Sequence, residues 1–107
     1  MKRGDLYRIH KPGGDSKNFR AFVVVSRQAL IDSRFPTVVC ARVYTRAEGL
    51  LTQVPVGIEE GLKHSSWILC DDLASLHKSN VTHFIGSLSH SKLAELDRAL
   101  SIAVGIL

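Results

Sequence analysis

The chain has 107 residues, a net charge of +4 and an apolar fraction of 45%, enough for one domain with a modest core that needs neither disulfide nor metal. No apolar run approaches the ~20 residues of a membrane span and no basic stretch leads into an apolar one as a secretion signal does, so a soluble, cytoplasmic protein is expected. Residues 1–46 carry ten Lys and Arg against three acids and the remainder four against seven, so the first half could meet a polyanion and the second could not.

Asp5–Ile9 alternates weakly and reads as a first strand. A loop follows (Pro12, Gly13, Gly14, Asp15, Ser16, Lys17, Asn18), and Phe19–Ser26 is then a near-continuous apolar run, the pattern of a strand buried on both faces. Gln28–Ile31 could form a helical turn. Pro36 marks a boundary before the β-rich stretch Thr37–Tyr44. Leu51–Val56 alternates, with Thr52, Val54 and Val56 on one side, and Ile58–Leu62 could form another helical turn. Ser66–Cys70, Leu73–Leu76 and Thr82–Ile85 read as three further short strands. Ser89 is a candidate N-cap, followed by Leu93, Leu96, Leu100, Ala103, Val104 and Leu107 on one helical stripe. Five to seven short strands closed by one amphipathic helix predict a mainly β fold with a little α: a small, strongly bent antiparallel barrel with the C-terminal helix packed across it. Residues 1–107 are read as a single domain.

Several side chains invite a functional reading. Arg20 stands where the Gly-containing loop meets the second strand, and its planar fork matches phosphate oxygens; an edge arginine covering the core is the alternative. Cys40 and Cys70, each inside an apolar run and thirty residues apart, read as reduced core residues rather than a metal or redox pair. The five histidines show no metal-ligand spacing, and no metal or other cofactor is expected. His10, His64 and His83 could in principle act as acid and base. Trp67 and Phe19 could stack on nucleobases, although Trp67 also fits a core. Asp71 and Asp72 could be paired carboxylates or simply end a strand.

Arg3-Gly4-Asp5-Leu6-Tyr7, the Gly-containing loop, Arg20 before Val23-Val24-Val25-Ser26, and Cys70-Asp71-Asp72-Leu73 occur in that order. Together they resemble the MazF/PemK family of toxin–antitoxin growth inhibitors, over nearly the whole chain. The resemblance implies an SH3-like barrel of the CcdB/PemK type. It also implies a homodimeric, metal-independent endoribonuclease that cuts single-stranded RNA and is restrained by a cognate antitoxin. Carried over by position, Arg20 would be the essential arginine and Thr45 the catalytic hydroxyl. Two departures stand out. Ala21 replaces the proline that usually follows the arginine, and Arg42-Val43-Tyr44-Thr45 replaces a Pro-aliphatic-Thr run, so Tyr44 could occupy the hydroxyl position instead. Arg42, Tyr44 and Arg46 would extend the substrate surface, with Lys11 and Lys17 as a lid. Arg42 and Tyr44 share one strand face, whereas Thr45 points the other way if the strand continues.

Two further readings remain at this point. The C-terminal half also resembles the CcdB gyrase poisons, which act without catalysis, but Val104 stands where that family carries a tryptophan, and Leu107 extends the tail. The third is an inactive SH3-like module that binds RNA or protein.

Overall fold

The computed structural model describes residues 1–10 and 19–107. Strands β1 (Asp5–His10), β2 (Phe19–Val24), β3 (Thr37–Tyr44), β4 (Gln53–Val56), β5 (Ser66–His77) and β6 (His83–Ser87) form one antiparallel sheet in the order β4-β5-β3-β2-β1-β6. Helix α1 (Gln28–Ile31) connects β2 to β3, and α2 (His90–Ala103) ends the fold. The sheet curls until the 3₁₀ turn Ile58–Glu60, which follows edge strand β4, meets the opposite edge strand β6. A Cβ on Gly86 would collide with the Glu60 carbonyl, so this closure requires glycine there. The expected small barrel is thus a half-barrel, sealed by a turn rather than by a ladder of backbone hydrogen bonds.

Each face of the sheet has its own core. On the face covered by α2, Leu6, Val23, Ala41, Val43, Ile68 and Cys70 pack with Leu96 and Ala99. On the other face Tyr7, Phe22, Val24, Val38 and Cys40 pack with Ile31 of α1 and Val81. Consecutive residues of β2 therefore alternate between two apolar environments, which accounts for its unbroken apolar run. Cys40 and Cys70 are buried, free, and in different clusters. Burial pushes the Cys40 thiol up to about 12; burial, with the nearby Asp71 charge, pushes Cys70 up to about 11. Both are inert core thiols at neutral pH.

The N-terminal motif turns out to be a clamp. Gly4 takes a positive φ of 92°, and the buried Asp5 behind it accepts hydrogen bonds from the Lys2 backbone N–H (2.9 Å) and from Ser87 Oγ (2.7 Å). Arg3 donates from Nε to the Val25 carbonyl at 3.0 Å and pairs with Asp97 of α2 at 2.7 Å. One short stretch thereby joins β2, β6 and α2.

Ser89 caps α2 as expected, its hydroxyl accepting from the Lys92 N–H at 3.3 Å. The buried stripe runs through Leu96 and Ala99, with Leu93, Leu100 and Ala103 beside it. Val104 and Leu107 lie beyond the helix, 57% and 67% exposed, so the apolar stripe stops short of the position expected from its spacing.

Two expected strands prove to be one. Ser66–Cys70 and Leu73–Leu76 both belong to β5, which pairs with β3 along its length. The register jumps from Ala41↔Leu73 to Arg42↔Leu69, so Cys70, Asp71 and Asp72 form a bulge. The two aspartates do not end a strand; they bend one. Trp67 is partly buried, paired in register with Tyr44 and Pro55 outside both buried clusters.

Candidate active site

The site lies where β2 begins and β3 ends, and the two strand faces contribute different groups to it. The ladder pairs Ala21 with Val43 and Phe22 with Arg42. The ladder stops at Ala21↔Val43, and Arg20 and Tyr44 are the next residue of each strand beyond it. Alternation then sorts the side chains. Phe19, Ala21 and Val43 turn towards the α2 side, while Arg20, Arg42 and Tyr44 turn to the opposite side. The strand ends at Tyr44, and Val43, Tyr44 and Thr45 all border a cleft.

That cleft has a volume of about 480 Å³ and is bordered by the second half of β1, the start of β2, the end of β3, residues 61–66 and β6. Its walls carry two rings (Phe19 and Phe84), three basic side chains (Arg8, Lys63 and His64) and the hydroxyls of Thr45 and Ser66; no Asp or Glu lines it among the described residues. Phe19 and Phe84 are 42% and 55% exposed; Phe84 also meets the buried Tyr7 ring edge-on at 5.7 Å. The Arg8 guanidinium lies 5.3 Å over the Phe19 ring. The His10 ring lies 6.0 Å from Phe19 and meets His83 edge-on at 5.0 Å. Rings backed by cations in a cationic, acid-free cleft suit stacked bases and phosphates.

On the opposite side, Arg42 is already engaged. Its Nη2 donates to the Tyr44 hydroxyl at 2.9 Å and its guanidinium lies 4.1 Å over the Tyr44 ring. Nη1 is 3.6 Å from Asp72 in the β5 bulge, and Nε is buried with no hydrogen-bond partner. Arg20 is exposed. Arg46 is exposed just beyond Thr45, and Lys11 and Lys17 lie outside the described residues.

The fold thus brings Arg42 and Tyr44 into contact, places Arg20 on the same strand face by alternation, and sets both Tyr44 and Thr45 at the border of the cleft. Sequence reasoning passed over Arg8, Lys63 and Phe84. Arg8 shares a strand face with His10, but nothing local places Phe19 opposite them, because the pairing joins residues that are distant in sequence. Lys63 and Phe84 reach the cleft only through the curl of the sheet.

The family model of PemK-like, MazF-like toxins of type II toxin–antitoxin systems matches residues 2–104. The chain belongs to this family. The probable endoribonuclease MazF of Mycolicibacterium smegmatis is 26% identical over 112 residues, covering 99% of this chain and 98% of its own. A mycobacterial endoribonuclease solved in complex with its cognate antitoxin has the same fold, with a TM-score of 0.84 at 21% identity over 100% of this chain and 97% of its own. So does MazE–MazF from Deinococcus radiodurans, with a TM-score of 0.79 at 22% identity over 100% of this chain and 97% of its own. Within this MazF-like toxin, the Arg3-Gly4-Asp5 motif is scaffolding, and the chemistry-bearing side chains cluster at the far ends of β2 and β3.

Proposed function

We propose that this MazF-like toxin is an endoribonuclease that cuts single-stranded RNA through the RNA's own 2′-hydroxyl, without a metal. The observation that carries the reading is the cleft at the start of β2 and the end of β3, lined by Arg8, Lys63 and Phe19 with no acid among the described residues, with Arg20 and Tyr44 one residue beyond the last ladder pair, Ala21↔Val43. The PemK/MazF match and the endoribonuclease name of the Mycolicibacterium relative support it.

In such a cleavage the 2′-oxygen attacks the adjacent phosphorus. The new 2′-O–P bond forms as the P–O5′ bond breaks, giving a 2′,3′-cyclic phosphate and a 5′-hydroxyl. The 2′-proton passes to a base, and the departing 5′-oxygen takes up a proton. The nucleophile comes with the substrate, so the protein's task is positioning and charge stabilisation. Arg20, permanently charged, is suited to hold the phosphorane oxygens and unsuited to act as a base. Thr45 or Tyr44, both at the border of the cleft, can hydrogen-bond the phosphate or the 2′-hydroxyl. Arg8, Lys63 and Arg46 would hold flanking phosphates, and Phe19 and Phe84 would stack on bases. His64 on the cleft wall is the titratable group placed to move a proton.

The partners that follow are single-stranded RNA, a cognate antitoxin and a second copy of the chain, acting in the cytoplasm. The antitoxin would be an acidic segment that orders itself over the basic groove. The test is purified protein incubated with a long single-stranded RNA in excess EDTA, beside an Arg20→Ala variant, with product ends mapped. Discrete cuts that survive chelation and disappear with Arg20→Ala are expected. Intact RNA with the wild-type protein sinks the reading and directs the search to gyrase supercoiling, whereas cutting that ignores Arg20 leaves the activity and removes its assigned residue.

A further inference from the structure

We propose that Arg42, braced by Asp72, is a positioning residue that fixes Tyr44 so that the tyrosine hydroxyl donates a hydrogen bond to the phosphate held by Arg20. The inference rests on the ribonuclease reading above and goes beyond it by choosing between the two hydroxyls. Arg42 contacts Tyr44 twice, through the 2.9 Å hydrogen bond to Oη and through the guanidinium lying 4.1 Å over the ring. Its side chain is only 21% exposed, against 40% for Tyr44. The arginine therefore lies behind the tyrosine, with much less of it open to a substrate.

The chemistry of the phenol gives this contact a direction. A phenolic oxygen has one proton and acceptor lone pairs. Arg42 has only donors, so it occupies acceptor capacity and leaves the O–H as the function that Tyr44 can present outward. A neighbouring cation also polarises that O–H and strengthens the bond it donates. After Arg42, the next cation along that face is Arg20, one residue beyond the last ladder pair, Ala21↔Val43. A phosphate on Arg20 would lie within reach of the Tyr44 hydroxyl. Thr45 has no such brace among the described residues.

Asp72 sits in the bulge of β5, next to Leu73, the partner of Ala41; the register jump pairs Arg42 with Leu69, and the side chain of Asp72 still approaches the guanidinium. Asp71, the other aspartate of the bulge, accepts from Thr52 Oγ1 at 2.6 Å and ties the bulge to the residue before β4. The Asp72–Arg42 separation of 3.6 Å exceeds a good charged hydrogen bond, so Asp72 limits where the guanidinium lies without drawing it off the ring. A proline at position 42 could make none of these contacts.

The test is steady-state cleavage of a defined RNA by wild type, Tyr44→Phe, Arg42→Gln, Arg42→Lys, Asp72→Asn and the Tyr44→Phe/Arg42→Gln double variant, with thermal unfolding of each to verify folding. Tyr44→Phe keeps the ring and removes only the hydroxyl. It should lower kcat roughly 10²-fold with KM little changed, the low end of the range for a lost transition-state donor. Arg42→Gln should give a comparable kcat loss, and the double variant should be no worse than Tyr44→Phe alone, because both remove one interaction. Arg42→Lys should fail to rescue, since lysine keeps the charge and loses the planar fork. Asp72→Asn should cost a few-fold.

Additive losses in the double variant, or rescue by lysine, would show that Arg42 contacts RNA directly and would overturn the positioning role. Wild-type rates in Tyr44→Phe would return the hydroxyl to Thr45. A wild-type protein that cuts no RNA would overturn the ribonuclease reading itself, a separate outcome from any of these.

Discussion

The N-terminal clamp and the strand-end mouth are both rich in charge, yet they treat it in opposite ways. In the clamp, each oxygen of the buried Asp5 carboxylate meets a donor, and Arg3 is held by the Val25 carbonyl and by Asp97. At the mouth, Arg42 leaves a buried Nε without a partner and keeps its carboxylate at 3.6 Å. The neighbouring cleft sets Arg8, Lys63 and His64 together with no acid among its described lining residues. Satisfied polar groups stabilise a fold; unsatisfied ones cost stability and persist where a ligand completes them. Two stretches that both mark the family by sequence therefore have different physical duties.

The sharpest way to break this comparison is to remove a charge from each region and see which property fails. Arg20→Ala should lower kcat roughly 10²- to 10³-fold, the range for loss of a preorganised charge stabiliser. Its unfolding midpoint should match wild type, since Arg20 is exposed. A variant that cuts normally, or that melts early, would put Arg20 on the wrong side of the comparison. Asp5→Ala should do the reverse. It strands the Lys2 N–H and the Ser87 hydroxyl and should cost about 1.5–3 kcal/mol in chemical denaturation, the range for hydrogen bonds to a charged group. Its kcat in the folded fraction should be unchanged. Gly4→Ala comes next. At a φ of 92° an L side chain costs about 1–2 kcal/mol, and the new Cβ would lie 2.7 Å from Leu93 Cδ2, which can shift. Equal stability of Gly4→Ala and wild type would show that the clamp tolerates a different backbone.

Most of the fold was legible because its signals are local. Period-two alternation found β1 and β4, a β-rich stretch after Pro36 found β3, a short strand signal found β6, and the apolar run of β2 announced a strand with a core on both sides. Ser89 and the leucines after it located α2. The bulge in β5 was missed because Cys70-Asp71-Asp72 looks like a strand end from one strand alone; its meaning lies in the register with Ala41 and Arg42. The site was half legible for the same reason. Arg20, Tyr44 and Thr45 stand out along the chain, and alternation alone separates Tyr44 from Thr45. That Arg42 spends its donors on Tyr44, or that Phe19 sits under Arg8, depends on pairings and rotamers that no spacing records. The curl that carries Lys63 and Phe84 to the cleft is a property of the whole sheet.

The smallest expected effect tests whether the clamp is a network or a set of separate ties. The Arg3–Asp97 pair is close at 2.7 Å, but Asp97 is 59% exposed, and water and salt screen such pairs to below about 1 kcal/mol. Asp97→Ala should therefore cost less than that, and the difference should shrink further at high ionic strength. Arg3→Ala should cost more, because it also removes the donor to the Val25 carbonyl. Combined with Asp5→Ala, the Asp97→Ala loss should simply add, since Asp97 and Asp5 share no hydrogen-bond partner. Strong non-additivity in that pair would mean that Arg3 transmits order from α2 to Asp5. The clamp would then be a cooperative unit, and its contrast with the mouth would be one of coupling as well as of satisfied charge.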